Sequence, residues 1–536
     1  MGLLSRIRMS VGVGQQCVIL CGCLVWHGKS YGQDGLDFYR STTGSVYTLS
    51  IQADRKILVG DIHSPQRLNA DGSVDSAFEV RLGKFPSPAY TSAMQQDGNV
   101  LLGGDFQSVN GTSVTNLARL NLDGILDSNF QAPPQRGGIV FALCVDATGR
   151  ILSGGAEFYG QTQRGEGIQR LKYDGSLDLS FESTLRGIPF SIAIQADGRI
   201  LAGGYFTMSG PDIRTNLARL NQDGSLDASF LQAPFTEVET TALQSDGTIL
   251  VSAAPFPQTG PLHMLHRLKK DGSIDPGFQS DLEGVVHAVA VQADGRILVG
   301  GSFTNVQGNS QCSLVRLKAD GSLDKIFTQL TNAHVYSLAL QHDGGIIAGG
   351  SRELSPSQSE GFVARFTSDD PATENLSSNG SSVTWLRGGS APELSRCKFQ
   401  MTTNGVDWVE LGVGKPGAGG WELDGVTVPP GAKIRGRGWP AVGNYNGTSW
   451  FLETTNETPV DRPLILVNEA EFGIHGGQFG FRVLGKEGQQ VVLETSSIGI
   501  YWTSLITNTL TSAPTWFVDP EPATNASRFY RIRVLP

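Results

Sequence analysis

Seven positions of this chain are the first to weigh for chemistry. Tyr47, Tyr90, Phe141, Phe190, Glu239, His287 and Tyr336 each fall five residues before the same point of a recurring motif. A fold that stacks the repeats therefore gathers them on one face. Five are aromatic, and aromatic faces stack on sugars or peptides, so these five are the candidate ligand-binding residues. Glu239 and His287 break the pattern with a carboxyl and an imidazole, a pair able to move a proton. Packing between repeats is the simpler account of the aromatics, since they share a strand face with large apolar residues. It explains Glu239 and His287 poorly, which makes them the catalytic candidates.

Other constellations fail on spacing. Asn69 to Asp75 offers oxygen donors at alternate positions, but its glycine is misplaced for an EF-hand loop and Asp-Gly is ordinary turn chemistry. His263 and His266 have no adjacent glutamate and no helical context, so they are not a zinc-protease pair. No G-x-S-x-G elbow accompanies an α/β pattern. No metal and no cofactor is expected.

The elements that must position these residues are read from the repeats. One unit is Q-x-D-G-x-I-L-x-G-G, as in QADGRILAGG from Gln195 and QADGRILVGG from Gln292. Its turn positions are Asp54, Asp97, Thr148, Asp197, Asp246, Asp294 and Asp343, spaced by 43, 51, 49, 49, 48 and 49 residues. A second unit is R-L-x-x-D-G-S-x-D-x-x-F, as in RLNQDGSLDASF from Arg219 to Phe230. Asp-Gly supplies positive φ for tight hairpin turns, and the flanks alternate apolar with small or polar residues. Two hairpins per period predict four short strands, the content of one propeller blade. Gly203-Gly204 and its equivalents predict a bulge or a close backbone approach.

The arginines of the second unit, from Arg67 to Arg316, are each followed by an aspartate eight residues on, from Asp75 to Asp324. Groups that recur in every repeat are structural rather than catalytic. Arg365 lacks such a follower, while Asp37 near the start lacks a preceding arginine. These orphans predict that the first strand completes the last repeat, closing the ring and removing free edges. The expected fold is all-β: a seven-bladed β-propeller over residues 33–367, followed by two small β-sandwich-like modules.

Both units resemble the delta-60 repeat propellers of exported bacterial proteins. The resemblance covers about two-thirds of the chain. It implies a propeller and an extracytoplasmic location, and it brings no catalytic residues. Departures are Ala253-Ala254 in place of Gly-Gly, and Asp54-Arg55 in place of Asp-Gly.

Composition agrees. Gly 68 and Pro 25 with only 17% charged residues suit many strands and turns. A net charge of −10 argues against a nucleic-acid partner. Arg6 and Arg8 precede the apolar run from Cys17 to Trp26, which reads as a signal peptide over residues 1–32 with cleavage near Ser30-Tyr31-Gly32. Anchoring as a lipoprotein at Cys23 is the alternative. The remaining cysteines, Cys144, Cys312 and Cys397, form no framework, and no later segment is apolar enough to span a membrane.

Residues 368–381 read as a polar linker. Beyond it lie seven of the eight tryptophans. FQMTTNGVDWVELG and VLETSSIGIYWTSLIT share a Gly-x-x-Trp-x-x-Leu pattern, each followed about thirty residues later by a basic strand. They predict modules at 382–457 and 463–536 with Trp408 and Trp502 in their cores. The expected function is a secreted or surface scaffold, more plausibly non-enzymatic, presenting a binding face to an extracellular protein or glycan. Variable loops at Gly155–Gly165, Pro255–Leu262 and Ser351–Gly361 would carry specificity. One rival is a polysaccharide- or peptide-acting enzyme at the channel mouth. Another is glycan binding by the tryptophan-rich modules.

Overall fold

The computed structural model describes residues 35–535 except 84–85, 134–137, 158–166, 209–212, 232, 256–263, 281, 307–311, 328–329, 331, 356, 369, 430–431, 441–447, 450–451, 458–463, 467–472, 476–477, 485–487, 497–501, 512–514 and 523–528. The signal and lipoprotein readings fall outside the described residues. Every element among them is a strand, and no helix is long and apolar enough to cross a membrane.

Among the described residues of 35–367 there are seven main sheets, with a small extra one formed by Leu82–Gly83, Ser108–Val109 and Thr112–Ser113. The first strands of the seven are Val46–Ile51, Ala89–Met94, Gly138–Val145, Leu185–Ile194, Phe235–Leu243, Leu282–Val291 and Ala333–Leu340. Each of these inner strands packs beside that of the next sheet, and the last packs beside the first. Strand Leu36–Thr42 pairs antiparallel with Gln358–Phe366, so the start of the chain supplies the outer strand of the last sheet. There the Arg365 guanidinium meets the Asp37 carboxylate at 2.6 Å.

The turn after each inner strand differs from the expected two-residue type. In the fourth sheet Gly198 N–H donates to the Gln195 carbonyl and Gln195 N–H to the Arg199 carbonyl. Only the glycine has a positive φ, +83°, because the Asp197 carboxylate accepts Arg199 N–H at 3.0 Å and holds the aspartate in the ordinary region. In the first sheet Arg55 takes the glycine's place at φ 67°.

Four full strands per sheet were expected from two hairpins. In the first five sheets the fourth strand shrinks to a single bridge, such as Leu220 to Leu226. The repeated aspartate stops it. Asp227 N–H donates to the Arg219 carbonyl, its own carbonyl accepts Phe230 N–H, and its carboxylate accepts Ser229 N–H. The chain turns there instead of continuing along the sheet.

The repeated arginine is an inter-sheet tie. In six sheets its Nε donates to the aspartate Oδ2 at 2.5–2.8 Å. In the first five sheets its guanidinium also lies over the motif phenylalanine, 4.6–4.9 Å from the ring centre. It reaches a backbone carbonyl of the following repeat as well, Lys270 in the case of Arg219. One side chain thus fastens a turn, a ring and the neighbouring sheet.

The stretch 368–381 is not a linker. Thr373–Ser378 is an edge strand paired with Ser382–Gly388, and Asp370 is bound by Arg296. The residues are polar because this strand buries only Leu376. Its sheet shares a core with a second sheet built on Leu394–Thr402 and Lys433–Pro440, around Trp385, Trp421 and Phe399. A further core lies around Phe481, Leu493 and Phe517. Trp408 and Trp502 lie outside both cores, half-buried under Arg435 at 3.9 Å and Arg531 at 4.4 Å. The basic strand that follows each tryptophan in sequence supplies the guanidinium that covers its face.

Candidate functional site

Each inner strand carries an irregularity that falls on the candidate ring. The pairing with the second strand shifts between Val46 and Thr48, Ala89 and Thr91, Val140 and Ala142, Pro189 and Ser191, Val238 and Thr240, Val286 and Ala288, and Val335 and Ser337. The residues left unpaired are Tyr47, Tyr90, Phe141, Phe190, Glu239, His287 and Tyr336. A bulge turns one extra side chain out of the ladder, here at the same level of every sheet.

The Gly-Gly pairs make this possible. A Cβ on Gly301 would collide with the Val285 carbonyl, and one on Gly204 with that of Ile188, so the second glycine admits the bulged backbone. A Cβ on the first, Gly300, would collide with Val335 of the next sheet. A second irregularity appears in the fifth sheet between Phe235 and Glu237, where Ala253-Ala254 replaces Gly-Gly, and in the sixth between Glu283 and Gly284, where Gly300-Gly301 is kept.

All seven ring residues are half-buried. Six touch in succession. Ring centres lie 5.1 Å apart for His287–Tyr336, 5.4 Å for Tyr336–Tyr47, 5.4 Å for Tyr47–Tyr90, 5.2 Å for Tyr90–Phe141 and 5.6 Å for Phe141–Phe190. Glu239 occupies the remaining place, between the sheets of Phe190 and His287. Burial, helped by the nearby Glu237 charge, pushes its carboxyl up to about 7. Burial also raises the Tyr47 and Tyr90 phenols, each further raised by its neighbouring tyrosine.

The structure adds polar groups that motif reading passed over. His287 Nε2 lies 3.2 Å from Ser302 Oγ, and that oxygen lies 2.6 Å from His334 Nδ1. His334 Nε2 faces the Glu353 carboxylate at 3.8 Å, and its imidazole is parallel to the Tyr336 ring. Glu237 and His334 stand two residues before the ring position, and Ser302 directly follows a Gly-Gly pair. Comparing all repeats at those two offsets would have singled them out: Ser45, Pro88, Ile139, Ile188 and Val285 hold the first offset elsewhere, none of them ionisable.

An acid, two imidazoles and a hydroxyl are thus gathered on the fifth to seventh sheets, facing an aromatic arc from the seventh through the fourth, beside which the first and second sheets place Asp61 and Asp105. Their end of the ring is opposite the seat of the C-terminal segment. Arg396 donates to the Val145 carbonyl, Ala293 N–H to the Ala391 carbonyl and Ser245 to Glu393, while His342 pairs with Glu374. All those partners lie at the turns that end the inner strands. Of the loops expected to vary, 158–165 and 256–262 lie outside the described residues. Ser351–Gly361 is no loop but the end of a hairpin, with Arg352 paired to Glu360. Among the described residues no cluster of three metal-ligating side chains occurs.

Residues 95–130, 195–230 and 292–327 match the family described as "Domain of unknown function (DUF5122) beta-propeller". These segments are therefore repeats of that β-propeller family, and the fold is an all-β propeller type. No curated protein matches the chain. Among solved structures, a catalytically inactive virginiamycin B lyase from Staphylococcus aureus, bound to quinupristin, is 12% identical. It covers 61% of this chain and 98% of its own, with a TM-score of 0.41. A gluconolactonase from Xanthomonas campestris is 13% identical over 61% of this chain and 88% of its own, with a TM-score of 0.34. The extracellular domain of a putative hybrid two-component system from B. thetaiotaomicron is 11% identical over 90% and 79%, with a TM-score of 0.20.

Proposed function

We propose that the chain is an exported seven-bladed propeller, residues 33–367, which binds an extracellular protein or glycan at the end of the ring bearing Glu239 and His287. The two C-terminal β-sandwich-like modules serve as spacer or attachment. The observation that carries this reading is the division of labour between the two ends. One end receives the C-terminal segment, while the other gathers an acid, two imidazoles and a hydroxyl against an aromatic arc. A mouth with one polar and one aromatic side suits a partner that presents both kinds of surface. Because the aromatic rings pack on one another, the polar side supplies the selectivity.

The tryptophan-rich modules are the less favoured site. Trp385 and Trp421 are buried, and guanidinium groups cover Trp408, Trp439 and Trp502. The test is a glycan and cell-wall array probed with the whole chain and with the double variant Glu239→Ala, His287→Ala. Binding is expected to fall at least tenfold in the double variant with its melting temperature kept. Binding retained there, but lost in Trp408→Ala with Trp502→Ala, would transfer the site to the modules.

A further inference from the structure

We propose that Ser302 is the nucleophile of a carboxylic-ester hydrolysing site, with His334 as its base. The inference deepens the reading of this mouth as the working face and rests on it. The position after the Gly-Gly pair is Ile62, Asp105, Ala156, Tyr205, Pro255 and Ser351 in the other repeats. Ser351 alone of these is a second serine, and it donates to the Tyr336 phenol at 3.3 Å. Ser302 instead lies between two imidazoles, at 2.6 Å from His334 Nδ1 and 3.2 Å from His287 Nε2.

A hydroxyl has one proton to give, which assigns the roles. The shorter contact makes His334 Nδ1 the acceptor. Its ring proton then sits on Nε2, toward the Glu353 carboxylate at 3.8 Å, which favours that tautomer and the cation formed on protonation. His287 must then donate its Nε2–H to the Ser302 oxygen. Nucleophile, base and orienting acid follow the general logic of activated serines. His287 is a donor already placed beside the reacting oxygen, where negative charge develops on a bound carbonyl.

The step balances without any further reagent than water. Ser302 Oγ forms a bond to the ester carbonyl carbon as its proton passes to His334 Nδ1, and the carbonyl π pair moves to oxygen. The tetrahedral species collapses, the bond from carbon to the alcohol oxygen breaks, and that oxygen takes the proton from His334. Water then attacks the acyl carbon as its proton passes to His334, the bond from that carbon to Ser302 Oγ breaks, and Ser302 takes the proton back from His334 as the carboxylic acid leaves. Glu353 is largely exposed and 3.8 Å away, so it supports the imidazolium only modestly. That support suits an alkoxide leaving group better than an amide nitrogen. The adjoining Tyr336 and Tyr47 rings offer an apolar wall for the acyl group.

The experiment treats the whole protein with a fluorophosphonate and maps adducts by mass spectrometry, beside turnover of p-nitrophenyl acetate. One adduct per chain is expected on the peptide carrying Ser302. Turnover should fall at least tenfold in Ser302→Ala and in His334→Ala. No adduct at Ser302 in the unaltered protein overturns the inference, whatever the variants do. Turnover undiminished in Ser302→Ala also overturns it. Array binding without an adduct rejects the hydrolase and leaves the mouth as a binding site. An adduct without array binding supports the hydrolase and rejects the glycan partner.

Discussion

Replacing Arg219 with alanine is expected to destabilise the protein by about 3–5 kcal/mol. The reason is burial. Arg219 is 5% exposed and Asp227 7%, so the substitution strands a carboxylate in a place where water cannot replace its partner. It also removes the 2.6 Å bond to the Lys270 carbonyl and the contact with the Phe230 ring at 4.6 Å, loosening two sheets at once. Arg199 remains 3.3 Å from Asp227, which keeps the loss from being larger. Urea unfolding measures it. The double change Arg219→Met with Asp227→Leu should recover most of the loss, because removing both charges leaves neither unpaired. A loss below about 1 kcal/mol would mean that the pair behaves as an exposed one.

Glu239→Gln is expected to stabilise the protein above neutral pH, by about 3 kcal/mol at most. The Glu239 carboxyl titrates at about 7 in the folded protein against 4.5 as its ordinary value. Below pH 4.5 both folded and unfolded chains hold the proton and nothing is lost. Between 4.5 and 7 the unfolded chain releases it while the folded one keeps it, so stability declines as pH rises. Above 7 the deficit is complete and constant. Glutamine cannot ionise, so the gap in melting temperature between variant and parent should be near zero at pH 4 and grow to a plateau by pH 8. A gap independent of pH would show that Glu239 is paired or well hydrated.

The strand-rich plan was legible because turn chemistry repeats with the fold. Asp-Gly, the Arg-to-Asp spacing and the orphan pair Asp37 and Arg365 all have direct structural counterparts. Gly-Gly marked the crowded strand, but not which opposing residue would be pushed out of the ladder. That depends on pairing register, which a single repeat does not state. Ser302 and His334 escaped notice for a related reason. They come from adjacent repeats, and only the bulged geometry brings their atoms to 2.6 Å. The aspartate-capped turn cut the predicted fourth strands short, since a side-chain bond there outcompetes the ladder. In the C-terminal third, hydrophobicity placed Trp408 and Trp502 in cores. Their planar faces instead found guanidinium partners, an outcome that tryptophan's polarisable face permits and burial scales do not register.

The central claim concerns which end of the ring works. Hydrogen–deuterium exchange on the whole protein, with and without the tightest glycan or cell-wall fragment from the array, tests it most directly. Protection of Phe235–Leu243, Leu282–Val291 and Ala333–Leu340, with the exchange of Leu394–Thr402 and Lys433–Pro440 unchanged, is the predicted result. Protection confined to the C-terminal strands, with those three inner strands unaffected, would contradict it.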